Sequence, residues 1–389
     1  MGALMRILFY LPVVTPWWFD HMIAPMLRAL HDDAELHVMV APLWRNTGIE
    51  GHQLAPLADL GRIFWHVIDE GEPDQFRCNG SSVPGLVELV NQIDPELTLA
   101  RSADFATAKQ FPGTVRYIME GAPPPFEILP MRILVEEVPF SLGVMPEDAT
   151  ETIDRCVTAF ADIWEESDRF RHPSVGPDWR GALGLPPERP VLAVPLHYEH
   201  RENFFLMHSG FPCAVDLLRH LLETVDQDVF LALSDHPLNK LYVNRAEIHQ
   251  LVHCNHDRVA LCEVEDVPGG ATAALAVHAD AMLIDQSKSW SLAAHAATPM
   301  VRVGNSHLAG WLNAAELDDP AIRNWNGNGL AAPDPVAAHR YFCWHLGTRV
   351  FNPNKLNLER LLAHVSGKVP DWIIESNAEI LHQQQKEAA

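Results

Sequence analysis

Short apolar runs alternate with helix-periodic stretches along most of the chain, and polar residues collect where the runs end. In the first half, "RILFYLP" (6–12), "AELHVMVAP" (34–42), "GRIFWHVID" (61–69), "ELTLARSAD" (96–104) and "TVRYIMEG" (114–121) read as strands. Between them, 17–32 is helix-like despite Pro25, and "SSVPGLVELVNQID" (81–94) reads as a helix with serine caps. Apolar runs of this length separated by helical patterns predict a parallel sheet covered on both faces. Residues 122–150 break the rhythm: prolines at 123–125, 130, 139 and 146 predict a long irregular excursion, followed by a helix over 151–168.

The stretch 171–190 reads as a linker from its proline and glycine content. The alternation then restarts with strands at 191–196, 229–234, 258–264, 281–285 and 299–303, and with helices at 213–226, 242–254, 271–279 and 290–297. Three more helices are expected near 335–350, 356–366 and 371–386. The expected organisation is therefore a Rossmann-like domain over 1–180, a second over 187–345, and C-terminal helices over 350–389 packing back on the first. Two such α/β domains facing across a cleft make the GT-B architecture of nucleotide-sugar glycosyltransferases. A sugar-nucleotide epimerase has the same shape.

Composition narrows the partners. The formal charge of −23 opposes nucleic acid and anionic bilayers, so an anionic substrate would need a locally built pocket. The six cysteines are scattered without a CxxC, and the N-terminal apolar run is short, interrupted by Pro12 and followed by Trp17, Trp18 and Asp20. Both features point to a cytoplasmic protein whose first apolar run is a strand. No apolar run approaches the roughly 20 residues needed to span a bilayer.

The candidate chemistry lies at strand ends, where an open α/β sheet binds ligands. Strand 229–234 runs into Asp235-His236-Pro237, and strand 281–285 into Ser287-Lys288-Ser289 at the start of a helix. Serine hydroxyls and free N–H groups at a helix start suit a phosphate, so these two strand ends predict a nucleotide pocket built without a P-loop. His236 is the expected contact to phosphate or ribose, Pro237 fixes its turn, and Lys288 faces the anion or solvent. After strand 191–196 comes "HYEHREN", in which Arg201 is suited to fork onto a sugar carboxylate. Glu120 closes strand 114–119, where a carboxylate is placed to take the acceptor's proton. Arg101, Ser102 and Asp104, the pair Glu136-Glu137, and the aromatic group Trp17-Trp18-Phe19 are further acceptor-side candidates. His197 and His200, like His253 and His256, have ligand-like spacing but lack a third ligand at characteristic spacing, so no metal is expected.

These residues carry a resemblance. The His236-Pro237 pair and the later serine motif resemble those that serve the CMP moiety in bacterial sialyltransferases, polysialyltransferases and Kdo transferases. The run from Val264 to Trp311 and the tail "FCWHLGTRVFNPN" (342–354) look like the capsule-polysaccharide-synthesis proteins in particular. The resemblance covers about 190–355. It implies a transferase using a CMP-activated acidic sugar, Kdo before sialic acid, with a capsule or lipopolysaccharide glycan or glycolipid as acceptor, and no cofactor. It also implies work at the inner face of the inner membrane, in peripheral contact with that membrane or with polysaccharide-assembly proteins. By the same resemblance Glu120-Gly121 stands in the acidic-acidic-Gly motif whose carboxylate is the general base, with Met119 at the first acidic place. Retaining β-Kdo transferases imply a donor-side carboxylate nucleophile, usually Asp, for which this chain offers Glu199 or Glu202. The competing readings are a UDP-sugar transferase or epimerase, and a non-catalytic GT-B-like scaffold.

Overall fold

A computed structural model describes residues 4–69, 71–126, 133–168, 178–263, 270–304 and 306–388, with side chains of the last helix described as far as 383. The chain forms two compact units. The first comprises Met1–Ala122, Glu127–Pro139 and His345–Ala389, the second Pro123–Phe126 and Phe140–Trp344.

In the first unit the strands are β1 (Met5–Tyr10), β2 (Ala34–Val40), β3 (Ile63–Val67), β4 (Leu97–Ala100), β5 (Thr114–Glu120) and β6 (Ile133–Glu136), joined by a short strand at Val350–Phe351. The seven-stranded order is 350–351, β6, β5, β4, β1, β2, β3. Strands β3 to β5 are parallel, while β6 and 350–351 are added antiparallel. Alternate side chains of β1 feed opposite cores. Ile7 and Phe9 pack with Leu36, Leu99, Phe19 and Leu27, and Leu8 and Tyr10 pack with Met39, Leu86 and Val90. Burial on both faces is why these strands read as continuous apolar runs.

Pro25 does not end its helix. The run Pro16–Leu30 widens into a π-helical stretch at Phe19–Ile23 just before the proline, which relieves the clash between its ring and the carbonyl four residues back. The excursion 122–150 is less irregular than expected. Its described residues include β6, and also Ser141–Leu142 (β7), which pairs with a strand of the second unit. The prolines at 130 and 139 flank the four-residue run "ILVE" and mask its strand character.

The second unit holds β7 and the strands β8 (Val191–Pro195), β9 (Phe230–Ser234), β10 (Val259–Leu261), β11 (Ala281–Ile284), β12 (Met300–Arg302), β13 (His307–Leu308) and β14 (Ala315–Glu316). Six of them make an all-parallel sheet in the order β10-β9-β8-β11-β12-β14. The α/β class expected from the alternation is therefore present twice, the make-up of the GT-B fold. The helices Thr150–Ala159 and Ala161–Glu166 belong to this second unit, so a boundary at 180 does not divide the chain. They are held there by Trp164 stacked on His339 (4.6 Å), Ser167 bonded to His295 Nε2 (2.9 Å) and Arg340 paired with Asp154 (2.7 Å). Part of the predicted linker, 171–177, lies outside the described residues.

The C-terminal helices pack into the first unit through Leu361 and Val365, and Asn377 Nδ2 donates to the carbonyls of Leu346, Gly347 and Val350. His364 is buried there, stacked on Phe351 and bonded through Nδ1 to the Thr348 carbonyl (2.8 Å). Burial lowers its pKa to about 4, and burial lowers that of His345 to about 3. Both histidines are therefore neutral in the fold and charge near pH 6.5 once unfolded. The unfolded state binds the extra protons, so stability is full above about pH 6.5 and falls as the pH drops towards 4. His364 alone is expected to cost about 2 kcal/mol at pH 5. Melting curves from pH 7.5 to 5 should show a smaller decline for His364→Gln than for the parent, and an equal decline would contradict this assignment.

Candidate functional site

In the second unit the chain goes from the middle strand β8 outward to β9 and β10, then crosses to β11 and β12 on the other side. The order therefore reverses between β8 and β11, and a crevice at the carboxyl ends of such strands is where ligands bind in open α/β sheets. The first polar residues past each strand converge on this edge: His197 after β8, Asp235 and His236 after β9, and Asp285, Ser287 and Ser289 after β11.

His236 caps the helix Pro237–Tyr242, its Nδ1 accepting from the Leu238 N–H at 3.3 Å. The ring proton accordingly sits on Nε2. Pro237 occupies the first helical position, where its missing N–H costs nothing. The ring stacks on Tyr198 (5.2 Å), which stacks in turn on His200 (5.6 Å). The Tyr198 hydroxyl donates to Glu202 Oε1 (2.8 Å), and Glu202 Oε2 lies 3.4 Å from His200 Nδ1. Burial and this hydrogen bond to a carboxylate both push the phenol pKa upward, so Tyr198 stays protonated.

Glu199 has a different environment. Arg245, buried, forks onto Asp235 through Nε (2.9 Å) and Nη2 (3.0 Å), and its Nη1 pairs with Glu199 Oε2. The other Glu199 oxygen accepts the Ala214 N–H at the start of helix Ala214–Thr224. Both oxygens are committed to the fold through an arginine and a helix N-terminus, which suits Glu199 to a structural part, whereas Glu202 is held within its own turn by Tyr198 and His200. Arg201 is exposed in the same turn and makes no ion pair among the described residues. A pocket of about 390 Å³ opens beside the Asp235–Arg245 pair, lined also by Lys240, Asn244, His249 and Glu263.

At the end of β11, Ser287 Oγ accepts from the Ser289 N–H (3.3 Å), and Lys288 is the residue before the helix Ser289–Ala296. Ser289 is only 5% exposed, yet its hydroxyl has no hydrogen-bond partner among the described residues. Ser291, one turn on, is used by the fold, donating to the Pro124 and Lys288 carbonyls (2.7 Å each).

Sequence reasoning expects the strands bearing His236 and Ser287 to be neighbours, but in the sheet they are not. They flank β8, which sets them about 10 Å apart. The intervening position is filled by His197, whose Nε2 lies 3.1 Å from Asp285 Oδ2. Sequence reasoning missed this pair, although each residue is the first or second polar group after an apolar strand. The two histidines expected to resemble metal ligands point to different partners, His197 to Asp285 and His200 to Tyr198 and Glu202. Among the described residues no group of three His, Cys, Asp or Glu is placed to hold a metal ion.

In the first unit the order reverses between β1 and β4. Trp18 follows β1 and Arg101 follows β4, and the guanidinium lies over the indole at 4.1 Å while Nη1 donates to the Ile118 carbonyl (3.2 Å). Burial lowers the Arg101 pKa to about 10, against the opposing pull of Glu120. Glu120 itself is exposed at the end of β5, in register with Ile133 of β6. Asp104 is a structural hub, accepting from the N–H groups of Gly80, Ala106 and Thr107. Glu137 is exposed beside Arg116 (3.7 Å). Trp17 is half exposed and Trp18 buried.

No protein-family model matches the chain, and no curated protein matches it in sequence. Solved structures do resemble it. One is a β-Kdo 2,7 transferase, KpsC of Thermosulfurimonas dismutans, at 11% identity over 78% of this chain and 89% of that one, with a TM-score of 0.43. A β-Kdo 2,4 transferase of KpsC from the same organism matches at 11% identity over 86% and 99%, with a TM-score of 0.42. Anabaena HepE, solved with UDP, matches at 10% identity over 99% and 100%, with a TM-score of 0.32. No helix among the described residues is long and apolar enough to cross a membrane.

Proposed function

We propose that this chain is a glycosyltransferase that takes an acidic sugar, Kdo before sialic acid, from a CMP-activated donor to a capsule or lipopolysaccharide glycan or glycolipid. The observation that carries the reading is the Ser289 hydroxyl. It is buried at the start of a helix, at the carboxyl edge of a parallel sheet, and has no partner among the described residues. A buried donor left unmade costs about 1–3 kcal/mol, and an anion's oxygens at that helix end would relieve it. His236 adds an Nε2–H donor from the far side of β8, so the phosphate lies towards Ser287 and Ser289 and the ribose towards His236. In this reading Lys288 and Arg201 supply positive charge, Arg201 to the sugar's carboxylate, and Glu202 is the donor-side carboxylate. Glu120 takes the proton from the acceptor hydroxyl. A CMP donor carries a single phosphate, which these donors are suited to bind without a divalent ion.

The test is nucleotide affinity. Losing one hydrogen bond to a charged group costs about 1.5–3 kcal/mol, so Ser289→Ala should weaken CMP binding by roughly one to two decades. Its melting temperature should move little, because the parent hydroxyl bonds nothing in the fold. If Ser287→Ala and Ser289→Ala both bind CMP as tightly as the parent, the phosphate does not sit here.

A further inference from the structure

His197 is tied to both flanks of the candidate site. Its carbonyl accepts from Asn239 Nδ2 (2.7 Å), on the helix that His236 caps, and its ring bonds Asp285, which directly precedes the Gln286-Ser287 turn. Asp285 is 6% exposed, and among the described residues neither Lys nor Arg pairs with it. Its Oδ2 takes everything offered: His197 Nε2 at 3.1 Å, the Ser209 hydroxyl at 2.5 Å and the Gly210 N–H at 3.2 Å. Its Oδ1 has no partner among the described residues. Glycines make room for it: a Cβ on Gly304, whose φ is +75°, would stand 2.9 Å from Oδ1, and one on Gly210 would stand 2.8 Å from the Gly304 nitrogen. A buried anion is expensive unless a cation answers it. Of the three groups on Oδ2, only the His197 ring can carry positive charge.

We propose that Asp285 positions His197 as a second cationic contact for the donor phosphate, beside Ser287 and Ser289; this rests on the nucleotide reading above. Asp285 holds a proton on Nε2, which leaves Nδ1 on the side of the ring away from the carboxylate. With a phosphate bound, Nδ1 is also protonated and donates to a phosphate oxygen, and Asp285 balances the imidazolium charge. As the sugar–phosphate C–O bond breaks, its electron pair stays on the phosphate oxygen while the donor-side carboxylate Glu202 bonds the sugar carbon; the acceptor oxygen then displaces that carboxylate, and the acceptor's proton passes to the general base. The imidazolium keeps its protons throughout and meets the growing charge. Asp285 touches no substrate; it acts through His197. The arrangement places a positive charge locally in a chain whose overall field is strongly negative.

CMP and cytidine titrated separately against the full chain by calorimetry test this, because cytidine lacks the phosphate. His197→Gln is expected to weaken CMP about tenfold or more while leaving cytidine unchanged. Asp285→Asn should weaken CMP in the same selective way, Asp285→Glu should recover part of it, and histidine 15N spectra should show His197 leaving the Nε2–H form in Asp285→Asn. Equal losses for CMP and cytidine would mean a merely structural pair and overturn the proposal. If Asp285→Asn does not fold, His197→Gln decides alone, and unchanged CMP affinity in it overturns the proposal. A parent that binds CMP, loses it in Ser289→Ala and keeps it in His197→Gln sinks this proposal and spares the nucleotide reading. A parent that binds neither CMP nor cytidine sinks both.

Discussion

Arg245→Met is expected to destabilise the second unit by about 3–5 kcal/mol, the cost of removing one partner from a buried ion pair. Arg245 answers two carboxylates at once, Asp235 by a two-bond fork and Glu199 by a third bond, and all three side chains are largely buried. Removing the guanidinium leaves two anions facing each other with little water to screen them. Asn239, which donates to Asp235 Oδ1 at 2.7 Å, replaces only a fraction of what is lost. Urea unfolding checks this, and a loss below about 1 kcal/mol would contradict it. Neutralising the carboxylates in the same background, with Asp235→Asn and Glu199→Gln, should restore most of the stability, since the penalty comes from unpaired charge more than from lost packing.

Glu120→Gln is expected to lower kcat by about 10²–10⁴-fold, the usual contribution of a positioned general base, with little change in CMP affinity. The side chain is exposed at the end of β5, and its backbone pairing to Ile133 does not depend on the carboxylate. Glu120→Gln should therefore still fold, its thermal unfolding lowered only by the loss of its attraction to the buried Arg101. The same substitution separates the enzyme reading from a scaffold, because a scaffold has no turnover to lose. Full activity in a well-folded Glu120→Gln would remove Glu120 from the chemistry.

Much of the fold was legible because parallel strands buried on both faces leave continuous apolar runs, as in "RILFY" and "VFLALS". β6 was harder to see because its four residues sit between prolines, and β7 and β13 are two residues each, too short for any period. The candidate site was legible only as strand ends. The residues after β9 and β11 announce themselves by polarity, yet which strand lies between them depends on the order of the sheet, and no local pattern encodes that order. The same limit hid the partners. Glu199 reads as an available carboxylate until Arg245, 46 residues on, takes one of its oxygens. Asp285 reads as a strand-end polar residue until His197, 88 residues back, is found against it. Helix caps such as His236 and Asp104 lie within a turn of what they cap, but nothing local distinguishes a capping histidine from a ligand-binding one.

The most direct measurement is a calorimetric comparison of CMP, UDP and GDP on the full chain. A phosphate held by Ser287 and Ser289, with the ribose towards His236, predicts a saturable CMP isotherm at least about tenfold tighter than UDP or GDP. Tight UDP binding with no CMP binding would contradict the donor assignment and make the chain a UDP-sugar protein.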